Sequence, residues 1–187
     1  MIIPTVSNEN HMYDLFSRLL KDRVIILSGE IDEKTSALVV SQLLYLQSED
    51  KSAPILMYIN SPGGSVTDGL AIIDTMNILS CPVETYCVGS CSSMASLICT
   101  SGTKGKRYIL EHGRMMIHSV SSGIAGTINH IKRQYDEASA LNDILATILS
   151  HTTGKQKSKI LKDIENDYFM SAKEAVEYGL VDKILTK

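Results

Sequence analysis

Apolar residues recur along the chain in two rhythms. Short unbroken runs, Val24-Ile25-Ile26-Leu27 and Ile55-Leu56-Met57-Tyr58-Ile59, end at Ser28-Gly29 and Ser61-Pro62-Gly63-Gly64 and read as buried strands. Val83 to Val88 reads as a third strand after the Pro82 break, with further strands near Arg107-Tyr108-Ile109 and over Arg114 to His118. Between the strands the spacing opens to three and four residues. Met12 to Leu20 predicts a short amphipathic helix, and residues 33–48, with Ala37, Val40, Leu43, Leu44 and Leu46, predict another. Ser65 is placed to cap a helix over Val66 to Leu79, and a helix over residues 92–101 follows Gly89-Ser90. Strand and helix alternate, which predicts an α/β domain with a largely parallel sheet, because crossover helices connect parallel neighbours. In such sheets ligand chemistry gathers at the carboxyl ends of the strands, where Gly63-Gly64 and Gly89-Ser90 both fall.

The last third of the chain reads differently. Thr127 to His151 carries Ile128, Ile131, Tyr135, Ala138, Leu141, Leu145, Ile148 and Leu149 at helical intervals. That stretch is long for a globular helix, so it serves either as a core element or as an arm that packs on another subunit. A helix over 155–165 comes next. Ser171-Ala172-Lys173-Glu174 spells a capping box, Gly179 a helix stop, and Leu180 to Leu185 a closing strand. Residues 1–11 are polar and irregular and read as a flexible arm.

A length of 187 residues fits one domain with a sizeable core. A hydrophobic share of 44% excludes a disordered chain, and a net charge of −3 argues against a nucleic-acid binder or a polybasic membrane anchor. No apolar run is long enough to span a bilayer and the N-terminus lacks the pattern of a secretion signal, so a cytoplasmic location is expected. Cys81, Cys87, Cys91 and Cys99 show neither CxxC pairing nor finger spacing to histidine, and read as buried reduced thiols with no metal.

Two strand-to-helix turns can carry chemistry. In Ser61-Pro62-Gly63-Gly64-Ser65 the glycines permit close backbone approach beside a helix start, which suits an oxyanion or a phosphate. The turn lacks the lysine of a phosphate loop and the GxGxxG spacing, which argues against a nucleotide. In Gly89-Ser90-Cys91-Ser92-Ser93-Met94 a serine is either a helix cap or a nucleophile whose following N–H faces the developing oxyanion, although the GxSxG spelling is absent. His118 ends the apolar run Met115-Met116-Ile117 near the carboxyl edge of the sheet and is the best general base. His11, His112, His130 and His151 lie among polar or turn residues. Cys91 and Cys99 are alternative nucleophiles without an obvious cation beside them. Spacing leaves Asp163, Glu165, Asp167 and Asp182 open as the acid that orients the histidine.

Several segments together resemble the proteolytic subunit of the Clp (caseinolytic) protease, a self-compartmentalising serine peptidase with a crotonase-like fold. They are IPTV at 3–6, SRLLKDR at 17–23, INSPGGSVTDG at 59–69, GTKGKRY at 102–108, MIH at 116–118, FMSAKEA at 169–175 and EYGLVDKIL at 177–185, in order along nearly the whole chain. The resemblance implies Ser93 as nucleophile, His118 as base and Asp167 as orienting acid. It implies oxyanion donors on Gly64 and Met94, and a substrate strand beside Gly64, Ser65 and Val66. It further implies one domain over 1–187, residues 1–11 as an axial arm and 127–151 as a handle helix that joins two seven-membered rings into a tetradecamer. The partners implied are unfolded protein substrates and a ring-shaped AAA+ unfoldase. No cofactor is implied for this chain, since the unfoldase uses the ATP.

The chain departs from that pattern at four places. Cys91-Ser92 replaces small alanines before the nucleophile, and register to Met94 favours Ser93 over Ser92. Ser119-Val120 replaces Gln-Pro after the base, the segment after IPTV is short, and Asn166 replaces an arginine before the acid. Asn cannot reproduce bidentate arginine pairing, so weaker self-assembly, or assembly with a second related subunit, is expected. Two other readings stand beside the peptidase: a weakly active structural or regulatory ring subunit, and an acyl-CoA enzyme using the same oxyanion hole for an enolate.

Overall fold

The computed structural model describes residues 4–8 and 11–186. The chain opens with a hairpin, β1 (Thr5–Asn8) antiparallel to β2 (His11–Asp14), where the sequence predicts irregular chain. The remaining residues of the predicted arm, 1–3, 9 and 10, lie outside the described residues. Helix α1 (Leu15–Lys21) begins three residues later than predicted. Met12 is held in the hairpin opposite Ser7, and the Asp14 carboxylate accepts the Ser17 N–H at 3.0 Å as the cap.

The alternation that follows is the predicted one. In chain order come β3 (Val24–Ile31), α2 (Glu33–Glu49), β4 (Ile55–Gly64), α3 (Val66–Ile78), β5 (Val83–Ser92) and α4 (Met94–Thr100). Strands β6 (Arg107–Leu110) and β7 (Arg114–Ile117) follow, then α5 (Ile128–Thr153), α6 (Lys157–Asp163), β8 (Tyr168–Ser171), α7 (Ala172–Tyr178) and β9 (Lys183–Leu185). Strands β3-β4-β5-β6-β9 form a parallel path, β7 runs parallel to the far half of β5, and β8 joins β7 antiparallel. Strand β8 is not predicted. At four residues, two of them exposed, it lacks both a long apolar run and clean alternation.

Burial alternates along β4, so that Ile55, Met57 and Ile59 point inward. Val39, Leu43 and Leu46 of α2 and Ile72, Ile73 and Met76 of α3 belong to the same core. Every residue of α4 is buried, which makes it the central helix of the molecule. Helix α5 has 26 residues, about 39 Å at 1.5 Å per residue. Only Leu145, Ala146 and Leu149 are buried, and residues 128–137 are exposed throughout.

A buried ion pair closes the far end of the sheet. Asp182 bonds the Arg107 guanidinium at 2.7 and 2.9 Å and also accepts the backbone N–H of Gly105 and of Arg107. The Arg107 Nη1 donates to the carbonyls of Thr100 and Thr152, tying β6 to the ends of α4 and α5. The closing strand is therefore shorter than predicted. Leu180 and Val181 are buried side chains in the turn, and Asp182 is committed to Arg107.

Candidate active site

The site is assembled by a change of partner along β5. Its first half pairs with β6 (Thr85 opposite Arg107, Cys87 opposite Ile109), and its second half pairs with β7 (Ser90 opposite Arg114, Ser92 opposite Met116). Between them the register with β4 slips, from Ile59 opposite Cys87 to Ser61 opposite Cys91. Gly89 turns there at φ +94°, and the Asn60 side chain accepts the Ser90 N–H at 3.1 Å. The predicted strand thus runs on to Ser92, and the helix after it starts at Met94.

Ser93 sits at that junction with φ +54° and ψ −127°, rare values for a residue with a side chain. Its N–H donates to the Met116 carbonyl at 2.8 Å, and its own carbonyl accepts from the Ser96 N–H at 3.0 Å and the Ser96 hydroxyl at 2.6 Å. Ser93 occupies the cap position of α4, yet its hydroxyl makes no capping bond. The hydroxyl lies instead 2.8 Å from His118 Nε2. This separates nucleophile geometry from helix capping, which the sequence leaves open.

His118 follows the last residue of β7, and Asp167 precedes the first residue of β8. Because Ile117 stands opposite Tyr168 in an antiparallel pair, the next step outward brings 118 to 167. His118 Nδ1 lies 3.3 Å from Asp167 Oδ1, with side chains 23% and 57% exposed. A proton on Nδ1 facing that carboxylate leaves Nε2 as the acceptor for the serine hydroxyl. Of the four acids open by spacing, only Asp167 has a contact with His118. Asp163 binds Lys159 and Tyr178, Asp182 binds Arg107, and Glu165 lies exposed.

The second turn closes on the same point. A Cβ added to Gly63 would lie 2.7 Å from Ser93 Cβ and 3.0 Å from Met94 N, and one on Gly64, at φ +156°, would lie 2.2 Å from the Ile31 carbonyl. The backbone of 63–64 is therefore wedged between β3 and the Ser93–Met94 junction. Ser61, buried beneath it, accepts the Gly63 N–H at 3.1 Å. As the first residue of α4, Met94 has no helical carbonyl for its N–H. Gly64, Ser93, Met94 and His118 border a cavity of about 50 Å³ whose apolar walls include Val66, Leu97, Val120 and Leu145. Ser65 lies beside it with both polar groups committed elsewhere: its hydroxyl caps α3 by accepting the Asp68 N–H, and its N–H donates to the Ile31 carbonyl.

The other candidates are placed apart from this chemistry. Ser92 faces Ser90, with their hydroxyls 3.1 Å apart. All four cysteines are buried and unpaired by disulfide. Cys91 is held well above the ordinary thiol range by its bonds to Cys87 and Cys99 and by burial, which disfavours a thiolate. His112, His130 and His151 are exposed. Among the described residues no group of three or more His, Cys, Asp or Glu could hold a metal, and no helix is long and apolar enough to cross a membrane. Val66, which the resemblance placed beside the substrate strand, is one cavity wall, whereas sequence reasoning missed Leu97 and Leu145. These two are ordinary core-type residues in the sequence, and only the packing of α4 and α5 turns them to the site.

A hydroxyl on a histidine nitrogen, an acid behind the ring and a glycine turn beside a helix start define a hydrolase of the serine peptidase class. The Clp protease family model matches residues 7–187, and the chain belongs to that family. It is 51% identical over 173 residues to an ATP-dependent Clp protease proteolytic subunit 2 from Chlamydia pneumoniae, covering 92% of this chain and 85% of the relative. It is 50% identical, over 92% of this chain and 85% of each relative, to a proteolytic subunit 1 from Chlamydia felis and a proteolytic subunit 2 from Chlamydia trachomatis serovar D.

Proposed function

We propose that this chain cuts unfolded polypeptides into short peptides with Ser93 as nucleophile, His118 as general base and acid, and Asp167 as the group that orients the imidazole. As Ser93 Oγ attacks the peptide carbonyl carbon, its proton passes to His118 Nε2. Asp167 stabilises the imidazolium, and the backbone N–H groups of Gly64 and Met94 donate to the oxyanion. His118 then hands the proton to the leaving amine, which departs and leaves an ester on Ser93. A water that gives its proton to the same nitrogen hydrolyses the ester, releasing the acid and restoring the serine. The observation that carries this reading is the 2.8 Å contact between the Ser93 hydroxyl and His118 Nε2. The cavity beside Ser93 is small, with Val66, Leu97, Val120 and Leu145 among its walls, and this favours a side chain of few atoms on the acyl side of the cut bond. No observation favours the acyl-CoA or regulatory-subunit readings.

The proposal extends to assembly. Ile128, Ile131 and Tyr135 lie on one face of the projecting half of α5, at 86%, 40% and 65% exposure. An apolar stripe on an otherwise solvated arm supports packing of two rings through this helix. The family and the ATP-dependent relatives support the further reading of an AAA+ unfoldase feeding the chamber in the cytoplasm. Asn166 is exposed beside the triad, where the resemblance leads one to expect an arginine, and this supports weaker self-assembly or a mixed ring with a related subunit.

The test is sedimentation and fluorophosphonate labelling of one sample. Labelling that maps to Ser93, is lost in Ser93→Ala and accompanies peptide hydrolysis is the expected result. Full labelling of Ser93→Ala would overturn the catalytic assignment. A fully active tetradecamer formed by this chain alone would overturn the reading of Asn166.

A further inference from the structure

Two consecutive backbone donors follow the base, and each is taken by a different element. Ser119 N–H donates to the Ile164 carbonyl at 2.7 Å, in the segment that leads to Asp167. Val120 N–H donates to the Asn142 side-chain oxygen on α5 at 3.1 Å. Beyond Val120 the chain has no helix or strand until Ile128, and of residues 121–127 all but Ile124 are exposed. The two bonds are thus the last fixed points after His118 before the chain becomes solvated. Asn142 is half-buried and sits three residues before Leu145, on the same face of α5. Leu145 borders the catalytic cavity with Val120.

We propose that Asn142 is a positioning residue for peptide hydrolysis: by accepting the Val120 N–H it holds the segment after His118 against α5, and so fixes both the imidazole and the Val120 wall of the cavity. The inference rests on the triad reading above. It also depends on the departure at position 120, since a proline there has no N–H to give. A backbone donor in a half-buried site that loses its acceptor must find water or shift, and a shift at 120 is transmitted through two residues to the base. Small displacements of a reacting group lower the rate without an equal loss of binding.

The experiment compares Asn142→Ala, Asn142→Asp and Ser93→Ala in the full chain. Alanine removes the acceptor and is the best helix former, so α5 is retained. Aspartate keeps the acceptor at the same reach. Three readouts are taken: kcat and KM on a short fluorogenic peptide, the fluorophosphonate labelling rate, and the thermal midpoint. The expected result is a roughly three- to tenfold fall in kcat and in labelling rate for Asn142→Ala, the size of one neutral hydrogen bond. KM should stay within about twofold, and Asn142→Asp should stay close to the unmodified chain. Wild-type kcat and labelling in Asn142→Ala, with Ser93→Ala inert, would overturn the positioning role alone. Equal losses in the alanine and aspartate variants, tracking a lowered thermal midpoint, would overturn it as well. Activity and labelling in Ser93→Ala would instead bring down the triad reading beneath it.

Discussion

Ser93 holds its unusual backbone because both of its peptide groups are tied: the amide to Met116, the carbonyl to Ser96 twice. Such a conformation costs about 1–3 kcal/mol and persists only where its surroundings over-determine it. What the strain achieves is a hydroxyl lifted off the helix start and toward His118. Across from it, the 63–64 backbone has no room for a side chain. Gly64→Ala drives a methyl group into the Ile31 backbone at a φ of +156°, so the turn must shift off β3 and the Gly64 N–H loses its set place beside Ser93. Loss of one oxyanion donor typically costs about 10²–10³ in kcat. The expected outcome is a fall of that order in peptide hydrolysis with Ser93, His118 and Asp167 all unchanged, measured as kcat on a short peptide. The Asp167 contact, 3.3 Å and half-exposed, is looser than the serine–histidine one, so the orienting role proposed for it depends on the 118–120 segment being held.

At the scale of elements, the bulge in β5 is the device that makes the site. It lets one strand pair with β6 and then β7, and β7 in turn carries β8, so His118 and Asp167 arrive from neighbouring registers. Strand β8 is only four residues long and passes directly into α7. The junction is held by a capping box: the Ser171 N–H and hydroxyl donate to Glu174 at 2.8 and 2.6 Å, and Glu174 N–H returns to the Ser171 hydroxyl. The bond from the Ser171 hydroxyl, followed by that from its backbone, holds the Glu174 carboxyl below its usual range. Ser171→Ala is expected to lower stability by about 1 kcal/mol, a typical cap. A chain of this size should then show a thermal midpoint lower by about 2–4 °C, read by circular dichroism.

For the whole molecule, the Arg107–Asp182 pair joins β6, α4, α5 and the closing strand, with side chains 5% and 16% exposed. Burial alone pushes the Asp182 carboxyl up, but the bonds from the Arg107 side chain and backbone outweigh it and hold the group below its ordinary value. A depressed carboxyl contributes stability above its unfolded pKa, near ~3.9, and loses it as pH falls through the lower folded value. Asp182→Asn is therefore expected to destabilise at neutral pH by about 3–5 kcal/mol, as when one partner of a buried pair is removed. It should also flatten the acid limb of the stability profile below about pH 4, read by urea unfolding across that range. An acid limb identical to the unmodified chain would remove the pair from the account.

The sequence by itself determined the alternation of strands and helices, the parallel sheet, the long α5, the capping box and the residue types of the site, because these depend on local spacing and local backbone chemistry. His118 was separable from the other histidines by its place at the end of an apolar run. Local spacing left four acids open beside His118 and the resemblance alone pointed to Asp167; the tertiary structure brought that residue to the ring, and only it decided that β8 exists, that residues 5–8 pair with 11–14 and that Leu97 and Leu145 wall the cavity. Each of these depends on contacts between segments far apart in the chain, or on short strands whose pairing partners supply most of their stability. Register between strands, which no single stretch of sequence carries, is what turns Ser93, His118 and Asp167 into one site.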